Sequence, residues 1–298
     1  SARAFIDQVN AIGLAVIGQT GELAPADKKL YALRDVTATV DSLPLVTSSI
    51  LSKKIAAGCQ SVVLDVKAGS GAVMPTLEKS IELAETMVRI GRGTGRRFSA
   101  LVTDMDQPLG LYVGNALEVR EAIEVLSGRA GGALLDVSLQ LGAQMLRSCR
   151  LADSADEAMA MLRAALADGR GLKKLADMIE AQGGERRVAC EPDRLPQAER
   201  RIDVAAEKSG YVRAVATSDI GYAAQALGAG REKADDVIDP AAGIIMKKRL
   251  GEFVEKGEAW CELHVGARSD VAAAQKRLSG ALTLSEEPMA QTRPLIYR

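Results

Sequence analysis

The sequence is short of the groups on which many catalytic centres are built. Its 298 residues include one histidine, His264, so a Ser-His-Asp triad or a histidine-rich zinc site has little to draw on. Aromatics are equally scarce: three Phe, five Tyr and one Trp are too few for a base-stacking platform, and no nucleic acid is expected as partner. An excess of one charge is missing too. Lysine plus arginine (38) against aspartate plus glutamate (39) leaves −1, which offers no electrostatic footprint for a polyanion or an anionic membrane. No apolar run reaches the roughly 18 residues of a membrane span. The N-terminus has no charged stretch leading into an apolar run and a cleavage site, so no secretory signal is expected. Cys59, Cys149, Cys190 and Cys261 are scattered, with no CxxC pair, which fits reduced thiols in a cytoplasmic protein. What is present, 47% hydrophobic and 26% charged residues, suffices for a sizeable core and about two domains.

Short, apolar, polar-bounded runs at 15–17, 61–66 and 100–103 predict buried strands. Helices alternate with them. Ser42 precedes Leu43-Pro44, and proline suits a first helical turn because its missing N–H had no partner there. That helix should run to about residue 57 and stop at Gly58. Thr76 caps a helix through residue 90, ended by the glycines of 91–95, and Asn115 caps another through residue 126. Ser154 and Glu157 have capping-box spacing and open an alanine-rich helix to about residue 166. Such alternation predicts an α/β fold, a mainly parallel sheet flanked by helices. A charged stretch over 185–201, with Pro192 and Pro196, marks a boundary. Beyond it, β-branched pieces at 210–215, 243–246, 253–257 and 260–265 alternate with glycine turns and predict a C-terminal α+β domain of hammerhead-like shape. Met246-Lys247-Lys248 looks superficially like a carrier-lysine site, but a turn and another strand follow it, where a carrier lysine needs a protruding hairpin.

Chemistry is suggested first by Ser49 and Lys53, four residues apart and therefore on one helix face. A hydroxyl beside an ammonium can address a carbonyl next to an N–H, and a loop could bring the Arg34 guanidinium onto the same spot. Spacing alone does not separate this from a solvated lysine. Lys67-Ala-Gly-Ser-Gly71 is glycine-rich enough to cradle an anion on its backbone amides, or to be a plain sheet-edge loop.

The run from Leu30 to Leu45 (LYALRDVTATVDSLPL), followed by Ser48 to Lys54 (SSILSKK), closely resembles the signature of thymidine and pyrimidine-nucleoside phosphorylases. So do Gly18-Gln-Thr20 with Leu23 to Asp27, Leu64 to Lys67 with Gly69 to Ala72, and Thr103 to Gly110 with Gly114 to Ala122. Gly228 to Arg231 and Val254 to Gly257 extend the likeness toward the C-terminus. The resemblance implies a pentosyltransferase of pyrimidine salvage. Such an enzyme cleaves thymidine, or uridine and deoxyuridine, with inorganic phosphate, giving free base and a (deoxy)ribose 1-phosphate. It further implies base binding by Arg34, Ser49 and Lys53, with Arg34 and Lys53 stabilising the charge that develops on the leaving base. A potassium-like monovalent cation is implied at the carbonyls of Leu109 and Tyr112 and the carboxylate of Glu121, together with groups on a family loop absent from these residues, and no organic cofactor.

By the same resemblance, residues 1–25 form an edge of the α/β domain, 26–57 a helical-lobe segment carrying the base site, 58–195 the α/β domain and 202–298 the C-terminal domain. The family's phosphate loop, Lys-His-Ser-Thr-Gly-Gly, has no counterpart in these residues. The chain is therefore expected to correspond to the C-terminal two-thirds of a phosphorylase, inactive by itself and a homodimer when full length. A natural truncation that keeps only a base-binding or assembly role is the alternative. An anthranilate phosphoribosyltransferase, which shares the fold, lacks the Arg34, Ser49, Lys53 spacing. Val73 stands where the family commonly has phenylalanine near C5 of the pyrimidine, which opens the question of thymine against uracil. His264 matches no family site.

Overall fold

The computed structural model describes residues 2–17, 24–27, 30, 42–74, 76–233, 235–289 and 293–297. Helix α1 (Ala2–Ile12) is followed by residues 14–17, which lie outside any strand, against the expectation of one at 15–17. The Gln182 side-chain amide supplies what a strand neighbour would: its Oε1 accepts from Val16 N–H (3.0 Å) and its Nε2 donates to Val16 C=O (2.9 Å). Helix α2 (Leu43–Ala56) begins as expected, with Ser42 in extended conformation and Pro44 in the first turn, and Gly58 follows it at φ +78°.

Strands β1 (Ser61–Ala68) and β2 (Arg97–Asp104) pair in parallel, from Ser61 opposite Arg97 to Ala68 opposite Asp104. The crossover is α3 (Leu77–Gly93), whose Thr76 cap accepts from Lys79 N–H at 3.3 Å. This helix continues past residue 90 because Gly91 is a packing glycine: a Cβ there would lie 2.4 Å from the Phe98 ring. Val62, Leu64 and Val66 of β1 and Val102 of β2 bury one face of the pair against Leu83 and Met87 of α3. By area, burying one such side chain contributes about 1.5–3 kcal/mol.

The short β3 (Tyr112–Val113) leads into α4 (Asn115–Leu126), and α5 (Ala133–Ser148), α6 (Ala155–Ala167) and α7 (Arg170–Ala181) follow. The cap of α4 is Gly114 at φ +141°, with Asn115 already the first helical residue. Space decides this, since a Cβ on Gly114 would come within 2.5 Å of the Ala242 carbonyl. Ser154 caps α6 as expected, accepting from Glu157 N–H at 3.1 Å.

The C-terminal part holds β4 (Arg200–Ala205), β5 (Gly210–Val215), α8 (Thr217–Ala224), β6 (Gly243–Met246), β7 (Phe253–Val254), β8 (Ala259–Val265), α9 (Val271–Leu278) and β9 (Leu282–Ser285). Two sheets result, in the orders β3-β6-β8-β4 and β7-β5-β9. Val212, Ile244, Val254, Leu263 and Val265 are fully buried between them. Lys247 pairs with Asp203 and Glu262, and Lys248 with Glu258, so neither protrudes as a carrier lysine would.

The chain crosses the boundary in both directions. β3 leaves the α/β part to join the C-terminal sheet, and residues 293–297 return to β2. There Ile296 bridges Thr103, Asp104 N–H donates to Leu295 C=O (3.0 Å) and Tyr297 N–H to Val102 C=O (2.8 Å). No helix among the described residues is long and apolar enough to cross a membrane.

Candidate functional site

Ser49 and Lys53 lie on α2 one turn apart, and Ser49 is buried. Lys53 falls in the last turn, where the helix dipole favours a cation. Its Nζ is 3.1 Å from Oδ2 of Asp27, whose side chain is only 8% exposed. An ammonium carries three N–H donors, so a buried carboxylate that holds one of them fixes the direction of the others. Asp27 belongs to the family-like run 23–27 yet received no role from the sequence. The one available signal was a lone acid among Leu23, Ala24, Pro25 and Ala26. Arg34 lies outside the described residues. Val73 is 62% exposed, and nothing among the described residues packs it into a pocket.

The glycine loop after β1 is closed from within. Ser70 N–H donates to Oδ1 of Asp106 (2.8 Å) and Gly71 N–H to Met105 C=O (3.0 Å), so a carboxylate and a carbonyl of the chain already hold two amides an external anion would need. Ser70 Oγ is 3.2 Å from both Val215 O and Thr217 Oγ1, and Ser218 Oγ donates to Ser70 C=O at 2.7 Å. A Cβ on Gly69 would lie 2.6 Å from Asp106 N, and one on Gly71 2.6 Å from the Thr217 methyl. Both glycines thus allow close packing of this loop on 105–106 and on α8. Lys67 points elsewhere, to Asp65 (2.7 Å) and Thr103 (3.0 Å).

The turn that carries Leu109 and Tyr112 packs on Glu121. Glu121, buried on α4, accepts from Leu111 N–H at 2.6 Å and Tyr112 N–H at 3.3 Å. Burial pushes its carboxyl up from the ordinary range, and those two bonds and the positive Arg249 oppose the rise. Gly110 is required here, because a Cβ would meet Glu121 Oε2 at 2.1 Å. The Leu109 carbonyl faces a cation that belongs to the chain. Arg249 Nη2 donates to it at 3.3 Å, and Nη1 donates to the carbonyls of Pro108 (2.6 Å) and Gly110 (2.9 Å). Leu109 O, one of the expected ligands, thus already serves the chain's own guanidinium, which makes these residues a poor fit for a free ion. Among the described residues no group of three or more His, Cys, Asp or Glu is arranged to hold a metal.

His264 is a structural residue of β8, buried, with Nε2 3.0 Å from Glu262 Oε1. Burial holds its pKa below the ordinary histidine value despite that carboxylate. The Cys261 thiol is pushed up to about 12 by burial and is no nucleophile.

With this geometry in view, two family models match the chain: "Glycosyl transferase family, a/b domain" over residues 2–172 and "Pyrimidine nucleoside phosphorylase C-terminal domain" over 211–285. Among curated relatives, the pyrimidine-nucleoside phosphorylase of Staphylococcus aureus strain USA300 is 48% identical over 288 residues, covering 97% of this chain and 66% of the relative. The protein of the same description from strain bovine RF122 gives the same figures. The chain thus spans a little under two thirds of the length of the relatives it matches.

Proposed function

The chain belongs to the glycosyl transferase family of this a/b domain, and on that premise we propose that it serves a pyrimidine-nucleoside phosphorylase. The reaction is transfer of a pentose from N1 of a pyrimidine to inorganic phosphate. A phosphate oxygen forms a bond to C1′ while the glycosidic bond breaks, and its electron pair passes to N1 and spreads onto the ring carbonyls. Free base and (deoxy)ribose 1-phosphate result. Cationic donors fixed before the charge develops stabilise that transition state more than the ground state.

The observation that carries this reading is the Lys53 ammonium, aimed by a buried Asp27 and one turn from buried Ser49. Lys53 and Arg34 take the role of charge-stabilising donors, and the Ser49 hydroxyl meets the polar edge of the base. The glycine loop at 67–71 already holds the Asp106 carboxylate, and the relatives are longer than this chain. We therefore assign phosphate binding to residues beyond those of this chain. A homodimer is the assembly proposed for the full-length protein. A cytoplasmic location agrees with four free thiols and no disulfide among the described residues.

Phosphorolysis of thymidine, uridine and deoxyuridine by the full-length protein tests the proposal. Phosphate-dependent release of base from at least one of them is expected. Release from none would leave only a base-binding or assembly role.

A further inference from the structure

The turn over 107–112 draws together groups that call for a positive charge. The carbonyls of Pro108, Leu109 and Gly110 converge, and with no cation between them their oxygens would repel one another. Glu121 stands buried behind them. The chain answers with one side chain from about 140 residues away in sequence, as Arg249 Nη1 reaches Pro108 O and Gly110 O and Nη2 reaches Leu109 O. We propose that the Arg249 guanidinium is the resident cation of this turn, taking the place of a free monovalent ion and acting as the positioning residue that locks the turn to the C-terminal domain.

The sequence around Arg249 presents it for this purpose. It lies in a tight turn after β6, where its own N–H donates to Glu252 Oε2 (2.7 Å) and Gly251 stands at φ +86°. Its neighbours are stitched to the same loop: Leu250 N–H donates to Gln107 Oε1 (3.1 Å) and Met246 N–H to Leu111 C=O (2.7 Å). Glu121, Glu252 and Asp104 all act on the guanidinium electrostatically. Burial lowers its pKa, yet an arginine stays protonated under any physiological condition. Only arginine fits, because its rigid fork of N–H donors can serve several oxygens at once, whereas a lysine is a point charge on a flexible stem. A site filled in this way cannot lose its cation by dilution, and it orders the turn only when the C-terminal domain is docked.

Thermal unfolding of the full-length protein in potassium chloride and in tetramethylammonium chloride, at equal ionic strength, is the test, and it is independent of catalysis. The wild-type Tm is expected to be the same in both salts. Arg249→Ala is expected to lose roughly 5–10 °C, since it leaves three carbonyls without their donor. Potassium, but not tetramethylammonium, should restore part of that loss saturably, because the emptied carbonyls can then take an ion. Should Arg249→Ala not fold, Arg249→Met, which keeps an apolar stem without the charge, carries the same comparison. A saturable rise of the wild-type Tm with potassium alone would show a separate ion site and overturn the proposal. So would a loss in the variants that potassium does not repair, which would reduce Arg249 to an ordinary tether.

Discussion

Two loops leave neighbouring parts of the α/β region with opposite polarity turned inward. The loop at 67–71 points the Ser70 N–H at a carboxylate, Asp106, and the turn at 107–112 points C=O groups at a guanidinium, Arg249. Each has the form of an ion-binding site, and each is filled by its own chain. Glycines allow close packing in both: a Cβ on Gly69 would crowd Asp106, one on Gly71 Thr217, and one on Gly110 the Glu121 carboxylate. A glycine-rich loop therefore announces close approach, without saying whether to a ligand or to the chain itself. Lys53 is paired within the chain too, with Asp27, but it stays in reach of solvent. Its side chain keeps 24% of its exposure beside a buried partner, which is how a group that must meet substrate should be held.

The contrast between enclosed loops and a partly exposed lysine would break most visibly at position 53. Lys53→Ala in the full-length protein is expected to lower kcat/KM at least a hundredfold, about 2.7 kcal/mol or more of transition-state stabilisation. A variant that keeps more than a third of the wild-type value places the chemistry elsewhere. Next in size is Gly69→Ala. With φ at +129° and a backbone nitrogen 2.6 Å from the new Cβ, it should cost about 2–3 kcal/mol of stability, read in a denaturant titration. Gly58→Ala, at φ +78° with open space around it, should cost about 1 kcal/mol. Equal losses would mean that strain alone, and not the packing on Asp106, shapes the first loop.

Asp106→Asn sharpens the comparison further. It keeps an acceptor for Ser70 N–H but removes the charge that also pairs with Arg293, and a loss of about 1 kcal/mol is expected. If the variant instead gains affinity for inorganic phosphate, measured calorimetrically, the loop is an anion cradle kept shut by its own aspartate. The smallest effect is expected far from both loops. His264 has a depressed pKa in the fold, so between that value and the ordinary one near 6.5 the unfolded chain binds more protons than the folded. Stability should decline as pH falls below about 6.5, by under 1 kcal/mol at first, and His264→Gln should remove that part of the slope. An unchanged slope would show that other groups carry it.

The elements that could be read from the sequence are those whose signals are local. β1 and β2, the Thr76 and Ser154 caps, and the C-terminal strands β5 and β6 stand where short β-branched runs and capping residues put them. Residues 14–17 failed as a strand because Gln182, far along the chain, took the backbone groups at Val16. Asn115 lost its expected place as cap to Gly114 because the Ala242 carbonyl leaves no room for a Cβ. In the candidate site, Ser49 and Lys53 were legible from i, i+4 spacing, whereas Asp27 and Arg249 act across loops whose geometry no pattern of residue types encodes. A carboxylate opposite a lysine, or a guanidinium opposite three carbonyls, is visible only once the chain is folded.

The return of residues 293–297 to β2 bears on how the molecule assembles in time. The Tyr297 hydroxyl donates to an Asp104 oxygen at 2.9 Å across a sequence separation of 193 residues. At ribosomal rates of about 5–20 residues per second, β2 waits roughly 10–40 s for that partner. Until then its outer edge has unpaired N–H and C=O groups, open to any other extended chain. The α/β part is therefore the slow and vulnerable half of folding, finished by a segment translated after the C-terminal domain, and closing so long a loop adds to the delay.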